Sequence, residues 1–406
     1  MSLLRSAFIS TTAGLALCAF APIARGGEAT SIDAMDGASF QPPKEKGTVE
    51  QVDGKVGKAV KFTFADDCKG QFAMSRNHGT PEWDKAAGIS FWVKGDGSKH
   101  CGTLQFVWNE DFAQRYGYAF RVDGTEWTKV VVPWRDFLPE LSNADSKPLD
   151  PAGDRQPSKL GSLWFGKWWF WSDAAAHAYA IDEIKLEPTI DMDTKDYKPA
   201  GASLARVYAK LKAGQPITVV TMGDSLTDTR HGSNKKTNWP SFFKAGVAST
   251  YKSDATIVNP AIGGTELRQN LVLMPNWLMT TPEPDLVTVL FGYNDFASGM
   301  TGPAFAALQK DTIQRIRRET HGKADVLIIT TCPAASKWDE MADLAEACRT
   351  AAKDQNAGIC DIYALIHELG KDNKDQFFDE DKTHLSALGQ QTIAKAVLEA
   401  LEKNGK

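Results

Sequence analysis

The sequence predicts two domains of different fold class, an antiparallel β-sandwich followed by a three-layer α/β/α domain with a parallel sheet. Its length of 406 residues is enough for two such domains. From about residue 30 to residue 190, short apolar and aromatic runs alternate with turn clusters, which favours antiparallel strands. After a polar segment that contains Pro188 and Pro199, short apolar strands alternate with helices, which indicates parallel β-α-β units.

The first 26 residues have the pattern of a secretory signal. Arg5 precedes the apolar stretch "AGLALCAFAPIA", and small residues follow at Ala24 and Gly26. This apolar stretch is too short for a stable membrane span. We therefore expect residues 1–26 to be removed and the mature protein to be secreted or periplasmic, with no membrane span.

The charge balance argues against nucleic acid as a partner. The formal net charge is -5, and the sequence shows no concentrated basic stretch of the kind that phosphate binding needs. No Cys or His group has the spacing of a zinc site, so we expect no metal and no cofactor. The sequence does not indicate an oligomeric state.

Residues 27–190 form the predicted β-sandwich. Runs such as "AVKFTF", "GISFWVK" and "TLQFVWN" are rich in β-branched and aromatic residues, with polar turns between them. In "SLWFGKWWFWS", strand alternation places aromatic side chains on both faces, although only one face of a sandwich sheet is core. The second face needs a partner, either the other domain or a sugar ring, and Trp169 and Trp171 are the candidate sugar-binding residues.

Residues 191–214 are predicted to be a linker with one helix, and residues 215–406 the α/β/α domain. The helix has Leu204, Val207 and Leu211 on one face and Gly214 at its end. The strand candidates are "ITVVTM", "ATIV", "DLVTVLF", "DVLIIT" and "ICDIY". The main helix candidates are "PAFAALQKDTIQRIRRE", "DLAEACRTAAKDQ" and "LGQQTIAKAVLEALEK".

Polar residues and glycines collect at the predicted strand ends, where functional groups gather in open α/β sheets. The first strand runs into "GDS", ending at Ser225. The second is followed by "NPAIGGT", which contains Gly264, and the third by "GYND", which contains Asn294. Asp381 stands three residues before His384, ahead of the last helix.

These residue types are the ones that acyl transfer requires. A serine hydroxyl becomes a nucleophile when a histidine takes its proton, and a carboxylate holds that imidazole in one tautomer. Backbone N–H groups and an asparagine amide can stabilise the oxyanion. Each motif alone is also typical of a turn or a helix cap, and His231 is a rival base with no acidic residue directly beside it. The ordered occurrence of all four motifs favours the catalytic interpretation.

This ordered set resembles the SGNH, or GDSL-type, hydrolase family. The matching blocks are "GDSL" at 223–226, Gly264, "GYND" at 292–295 and "DKTH" at 381–384. Gly264 is chosen over Gly263 because it lies five residues after Asn259, as in the family pattern. The Gly-x-Ser-x-Gly motif of other α/β-hydrolases does not occur in the sequence.

The resemblance implies a role for each of the matching residues. Ser225 would be the nucleophile and His384 the base, held by Asp381. The oxyanion hole would consist of the backbone N–H groups of Ser225 and Gly264 with the Asn294 side chain. The implied fold is the three-layer α/β/α hydrolase domain with a parallel sheet.

The N-terminal half is similar to jelly-roll, galactose-binding-like modules of carbohydrate-active enzymes, most clearly in its ending "AYAIDEIKLEP". Together the two resemblances imply an exported serine esterase that removes small acyl groups, with acetyl favoured, from a polysaccharide or oligosaccharide. Its partner would be an acylated carbohydrate. Two alternatives are a lipase or arylesterase with a structural β-domain, and a glycan-binding protein whose hydrolase domain is inactive.

Overall fold

The computed structural model describes residues 28–37, 40–41, 46–68, 71–74, 78–140, 146–166 and 175–406. The predicted signal at 1–26 and the candidate sugar-binding residues Trp169 and Trp171 lie outside these ranges, so both stay predictions. Across the described ranges, no helix combines the length and the apolar character needed to cross a membrane.

The N-terminal half consists of two antiparallel sheets. Its strands are β1 (Thr30–Asp33), β2 (Phe40–Gln41), β3 (Gly47–Asp53), β4 (Lys58–Phe64), β5 (Gln71–Met74), β6 (Gly88–Gly95), β7 (Cys101–Trp108), β8 (Asp111–Arg121), β9 (Thr128–Pro133), β10 (Leu138–Pro139), β11 (Leu160–Gly166) and β12 (His177–Glu187). Sheet 1 has the strand order β3-β4-β12-β6-β9, with β1 also paired to β12. Sheet 2 has the order β10-β8-β7-β11-β5-β2.

Side-chain alternation explains why the two sheets pack face to face. Phe106 of β7 and Phe165 of β11 point inward from sheet 2 and are fully buried. They join Phe62 and Tyr179 of sheet 1 in one hydrophobic cluster, in which the Phe62 and Phe165 ring centroids are 5.0 Å apart. The predicted antiparallel β-sandwich is confirmed.

The C-terminal half alternates helices with parallel strands. Its elements are α1 (Ala205–Lys212), β13 (Ile217–Gly223), α2 (Trp239–Tyr251), β14 (Ala255–Val258), α3 (Leu267–Val272), α4 (Met274–Leu278), β15 (Leu286–Leu290), α5 (Tyr293–Ala297), α6 (Gly302–Glu319), β16 (Asp325–Ile329), α7 (Ala342–Gln355), β17 (Gly358–Cys360), α8 (Ile362–Leu369) and α9 (Ala387–Gly405). Sheet 3 is parallel, in the order β14-β13-β15-β16-β17.

Sheet 3 is buried on both faces, as parallel sheets require. Val219 of β13 packs in a cluster with residues of α1, α2 and α9. Its neighbour Val220 points the other way, into a cluster with residues of α3, α6 and α7. The predicted three-layer α/β/α arrangement with a parallel sheet is confirmed.

The predicted strand "ICDIY" is too long. The strand ends at Cys360, because the Asp361 side chain accepts a hydrogen bond from the Ala364 N–H and caps α8. A side chain that satisfies a free N–H at a helix start favours the helix over a continued strand.

The β-sandwich packs on the C-terminal domain through the outer face of sheet 2. Cys101, Ala119 and Leu138 belong to the same buried cluster as Leu271 and Met274 of α3 and α4. Ala119 and the inward-facing Phe120 are adjacent in β8, so one strand serves both the sandwich core and the domain interface.

An ion cluster borders this apolar interface. The Asp136 carboxylate accepts hydrogen bonds from Arg315 Nη1 at 2.8 Å and from Arg318 Nη2 at 3.3 Å, both in α6. Arg315 also donates to the backbone carbonyl of Arg135 at 2.7 Å. Arg268 of α3 donates to the carbonyl of Ser146 at 3.1 Å. The two domains are therefore joined by polar contacts as well as by apolar packing.

We predict that Asp136→Ala lowers the free energy of unfolding by about 1–3 kcal/mol, because it removes an acceptor from the buried Arg315 guanidinium. Denaturant unfolding of the full chain measures this change. Asp53→Ala is the control, because Asp53 forms an exposed pair with Lys58 within the β-sandwich and should leave stability unchanged. Equal stability of both variants and the wild type would show that the ion cluster does not hold the interface.

Candidate active site

Ser225 lies on a tight turn directly after β13. A Cβ at Gly223 would come within 2.5 Å of the Thr227 Cβ, so only glycine fits at the strand end. The Asp224 side chain accepts a hydrogen bond from the Leu226 N–H at 2.9 Å. The backbone carbonyl of Asp224 accepts a hydrogen bond from the Thr227 N–H at 3.0 Å. The turn leaves Ser225 half-buried at the carboxyl edge of sheet 3.

The loop before α9 brings His384 to Ser225. His384 Nε2 lies 3.0 Å from Ser225 Oγ, and His384 Nδ1 lies 2.6 Å from an Asp381 carboxylate oxygen. The other carboxylate oxygen of Asp381 accepts from the N–H of Thr383 at 2.9 Å and of His384 at 2.8 Å. The Asp379 N–H donates to the His384 carbonyl at 2.7 Å and closes the loop.

The charge state of Asp381 suits its contact with the imidazole of His384. Burial acts to raise its pKa, but the hydrogen bonds from the His384 ring and from the backbone N–H groups outweigh burial and hold the pKa at about 2. The carboxylate is therefore ionised and favours a proton on His384 Nδ1. Nε2 is then left as an acceptor for the Ser225 hydroxyl proton.

The candidate oxyanion donors lie on two neighbouring loops. Gly264 is exposed and has φ of +78°, a conformation that favours glycine. Among the described residues, the backbone N–H groups of Gly264 and Ser225 have no hydrogen-bond partner. Asn294 Nδ2 donates to the Thr265 carbonyl at 2.9 Å, which ties the Asn294 amide to the Gly264 loop.

Two buried carboxyl groups lie next to these donors. Burial raises the pKa of Asp224 to about 6, and one Asp224 oxygen lies 3.5 Å from Asn294 Nδ2. Burial and the neighbouring Glu266 raise the pKa of Asp295 well above its ordinary value. Asp295 accepts a hydrogen bond from the Leu267 N–H at 3.2 Å, which connects Asn294 and its neighbours to the start of α3.

Two supporting residues were missed by sequence reasoning. The Asp228 carboxylate accepts from the Gly263 N–H at 3.1 Å and so holds the loop of Gly264. Asn234 Nδ2 donates to the Ser225 carbonyl at 2.6 Å and fixes the nucleophile turn. The position of Asp228, three residues after Ser225, was a signal that could have been used, whereas nothing in the sequence distinguished Asn234.

The structure places His384, not His231, on the Ser225 hydroxyl. The His231 ring instead lies beside the His384 ring, with centroids 4.8 Å apart. His367 packs against Tyr363, with ring centroids 4.2 Å apart. His321 follows the end of α6. In the described parts of the chain, no group of three or more His, Cys, Asp or Glu residues could hold a metal ion.

Comparison with known families agrees with both sequence resemblances. Residues 221–392 match the GDSL-like Lipase/Acylhydrolase family, and residues 29–186 match the Carbohydrate binding domain (family 11). The chain therefore has a C-terminal GDSL-like lipase/acylhydrolase domain and an N-terminal jelly-roll module of the family 11 carbohydrate-binding type. The family of the C-terminal domain supports an esterase activity. No curated protein sequence matches the chain.

Several solved structures are similar to one half of the chain. A lipase/acylhydrolase from Enterococcus faecalis is 18% identical over 46% of this chain and 96% of its own, with a TM-score of 0.39. An acetylxylan esterase from Geobacillus stearothermophilus is 19% identical over 47% of this chain and 96% of its own, with a TM-score of 0.39. A family 11 carbohydrate-binding module from Clostridium thermocellum, in complex with a β-1,3-1,4-mixed-linked tetrasaccharide, is 19% identical over 40% of this chain and 98% of its own, with a TM-score of 0.32.

We predict that Ser225→Ala reduces ester hydrolysis by several orders of magnitude while the protein stays folded, because nucleophile and base act as one unit. Hydrolysis of phenyl acetate and circular dichroism measure the two properties. A serine-directed phosphonate should label Ser225 in the wild type, as mass spectrometry of the peptides would show. Ser249→Ala is the control, since Ser249 is exposed on α2 and its hydroxyl donates to the Gly246 carbonyl. Near-normal turnover by Ser225→Ala would contradict the assignment.

Proposed function

We propose that the protein is an exported serine esterase that removes small acyl groups, acetyl in particular, from a polysaccharide or oligosaccharide. The observation that carries the proposal is the continuous hydrogen-bonded line from Asp381 through His384 to Ser225, with distances of 2.6 and 3.0 Å. The order of these groups, carboxylate to imidazole to hydroxyl, is the one that activates a serine for acyl transfer.

In the first half of the proposed reaction, Ser225 Oγ attacks the acyl carbon and its proton moves to His384 Nε2. The negative charge on the former carbonyl oxygen is stabilised by the N–H groups of Ser225 and Gly264, which make no hydrogen bond within the described part of the chain, and by the Asn294 amide. The bond from the acyl carbon to the alcohol oxygen then breaks, and that oxygen takes the proton from His384. The alcohol leaves and the acyl group stays on Ser225.

In the second half, a water molecule gives a proton to His384 and adds to the acyl carbon. The bond to Ser225 Oγ breaks, Ser225 regains its proton from His384, and the free acid leaves. The ionised Asp381 stabilises the imidazolium that forms in both halves. Every proton transfer is therefore assigned to His384.

A carbohydrate as the alcohol part of the substrate is supported by the N-terminal module. Its family is defined by carbohydrate binding, and its sheet 2 also packs on the catalytic domain. On the same sheet, residues 112–114 of β8 form a bulge that brings Phe112 close to Trp164, with ring centroids 5.7 Å apart. The Phe112 side chain is 58% exposed, so it presents an aromatic face on which a sugar ring can stack.

The substrate class is tested by incubating the full chain with a panel of chemically acetylated polysaccharides and measuring released acetate. We expect acetate release from at least one polysaccharide, with Ser225→Ala as the blank. Hydrolysis of triglycerides or aryl esters without acetate release from any polysaccharide would favour a lipase or arylesterase. Retention on a polysaccharide without any ester hydrolysis would favour a glycan-binding protein with an inactive hydrolase domain.

The binding role of the module is tested in the full chain by affinity electrophoresis in gels that contain the polysaccharide substrate. We expect Phe112→Ala to weaken retention and to raise KM for the polymer, because it removes a stacking surface. Val56→Ala is the matched control, since Val56 is also an exposed apolar side chain, 55% accessible, but follows β3 in sheet 1. Equal retention of the two variants would contradict sugar binding at Phe112.

A further inference from the structure

A second imidazole lies beside the catalytic base. The ring of His231 is inclined by 33° to the ring of His384, at a centroid distance of 4.8 Å. The same ring also packs against the loop of Gly263 and Gly264, the oxyanion loop, because a Cβ at Gly263 would come within 2.6 Å of His231 Nδ1. His231 therefore fills the space between the base and the loop that carries Gly264.

The ring nitrogens of this imidazole have no hydrogen-bond partner among the described residues. Among the described residues, neither ring nitrogen of His231 makes a hydrogen bond, although the ring is half-buried. Burial and the adjacent His384 lower the pKa of His231 below its ordinary value, which favours the neutral ring. A neutral imidazole offers one N–H donor and one nitrogen acceptor.

The mechanism places the alcohol part of an ester next to His231. His384 Nε2 must give its proton to the alcohol oxygen, so that oxygen lies within hydrogen-bond reach of His384 Nε2. The carbonyl oxygen lies on the other side, at the donors of Ser225, Gly264 and Asn294. The imidazole of His231 borders both His384 and the oxyanion loop, which puts it beside the first atoms of the leaving alcohol.

We infer that His231 hydrogen-bonds a hydroxyl group on the carbon adjacent to the one that carries the ester oxygen. His231 is then a specificity residue that selects esters of vicinal diols, as sugar esters are, over esters of simple alcohols. The inference rests on the proposed function for the reaction at Ser225 but names the chemical group that the site recognises. A neutral hydrogen bond of this kind changes rates by about tenfold.

Two small esters test the hydrogen bond from His231 without requiring that the glycan substrate be known. In 2-hydroxyethyl acetate the alcohol carries a hydroxyl on the carbon adjacent to the one that bears the ester oxygen, and in propyl acetate a methyl group takes the place of that hydroxyl. We expect wild-type kcat/KM to favour 2-hydroxyethyl acetate by about tenfold beyond the ratio of their alkaline hydrolysis rates. His231→Phe keeps a flat ring against His384 but has no polar atom, and it should abolish this preference. His231→Asn should keep part of it.

His321→Asn is the matched control, because His321 is an exposed histidine at the end of α6 and should leave the preference intact. If His231→Phe slows both esters equally, His231 only supports the His384 ring, and the inference is wrong. No wild-type preference between the two esters would also overturn it, while leaving the esterase intact. Failure of the proposed function is a separate result, namely hydrolysis of these small esters without acetate release from any polysaccharide.

Discussion

The chemistry of the C-terminal domain depends on the parallel hydrogen-bond ladder between β13 and β15. This ladder pairs Gly223 with Leu290, so both strands end at the same level of the same edge, about 4.8 Å apart. The chain then turns at Ser225 on one strand and at Asn294 on the other, and the two groups become neighbours. A slip of one residue would displace one of them by about 3.3 Å, which exceeds the tolerance of a hydrogen bond. The remaining catalytic group, His384, arrives from a loop that hydrogen bonds at Asp379 and Asp381 hold in one shape.

Helix α3 connects this site to the β-sandwich. Asp295 accepts a hydrogen bond from the Leu267 N–H at the start of the helix, and Arg268 in the next position donates to Ser146 in the sandwich. Burial raises the pKa of Asp295 well above its ordinary value, which favours the neutral carboxyl group over a buried charge at this position. The oxyanion loop is thus held by contacts that continue into the other domain.

The sequence predicted the features that depend on the pattern of neighbouring residues. It did not predict the features that depend on packing between distant segments. Alternation and period identified the strands and helices, and the strand ends located Ser225, Gly264 and Asn294, which the structure brings to one edge. The strand predicted at "ICDIY" was too long because its interior Asp361 is a helix cap, and the cap depends on the position of Ala364. The place of His231 beside His384 depends on ring packing between distant loops, which no local pattern encodes. In the same way, the contact of Ala119 of β8 with the other domain joins residues far apart in the chain, and no local pattern indicates it.

The packed interface, rather than the connecting segment, sets how the two domains cooperate. A free linker of the length between β12 and α1 would let the sandwich range over about 20 Å. In the structure this segment is hydrogen-bonded to the C-terminal domain. Lys198 donates to the Asp354 carbonyl at 2.7 Å, and Asn356 donates to the Pro199 carbonyl at 2.8 Å. A flexible module raises the local concentration of any polymer it binds, whereas a fixed one favours only chains that reach both sites in one geometry. Under the proposed function, the packed interface therefore keeps the module at a constant distance from Ser225, so the spacing between a bound glycan segment and its acyl group affects which glycans react.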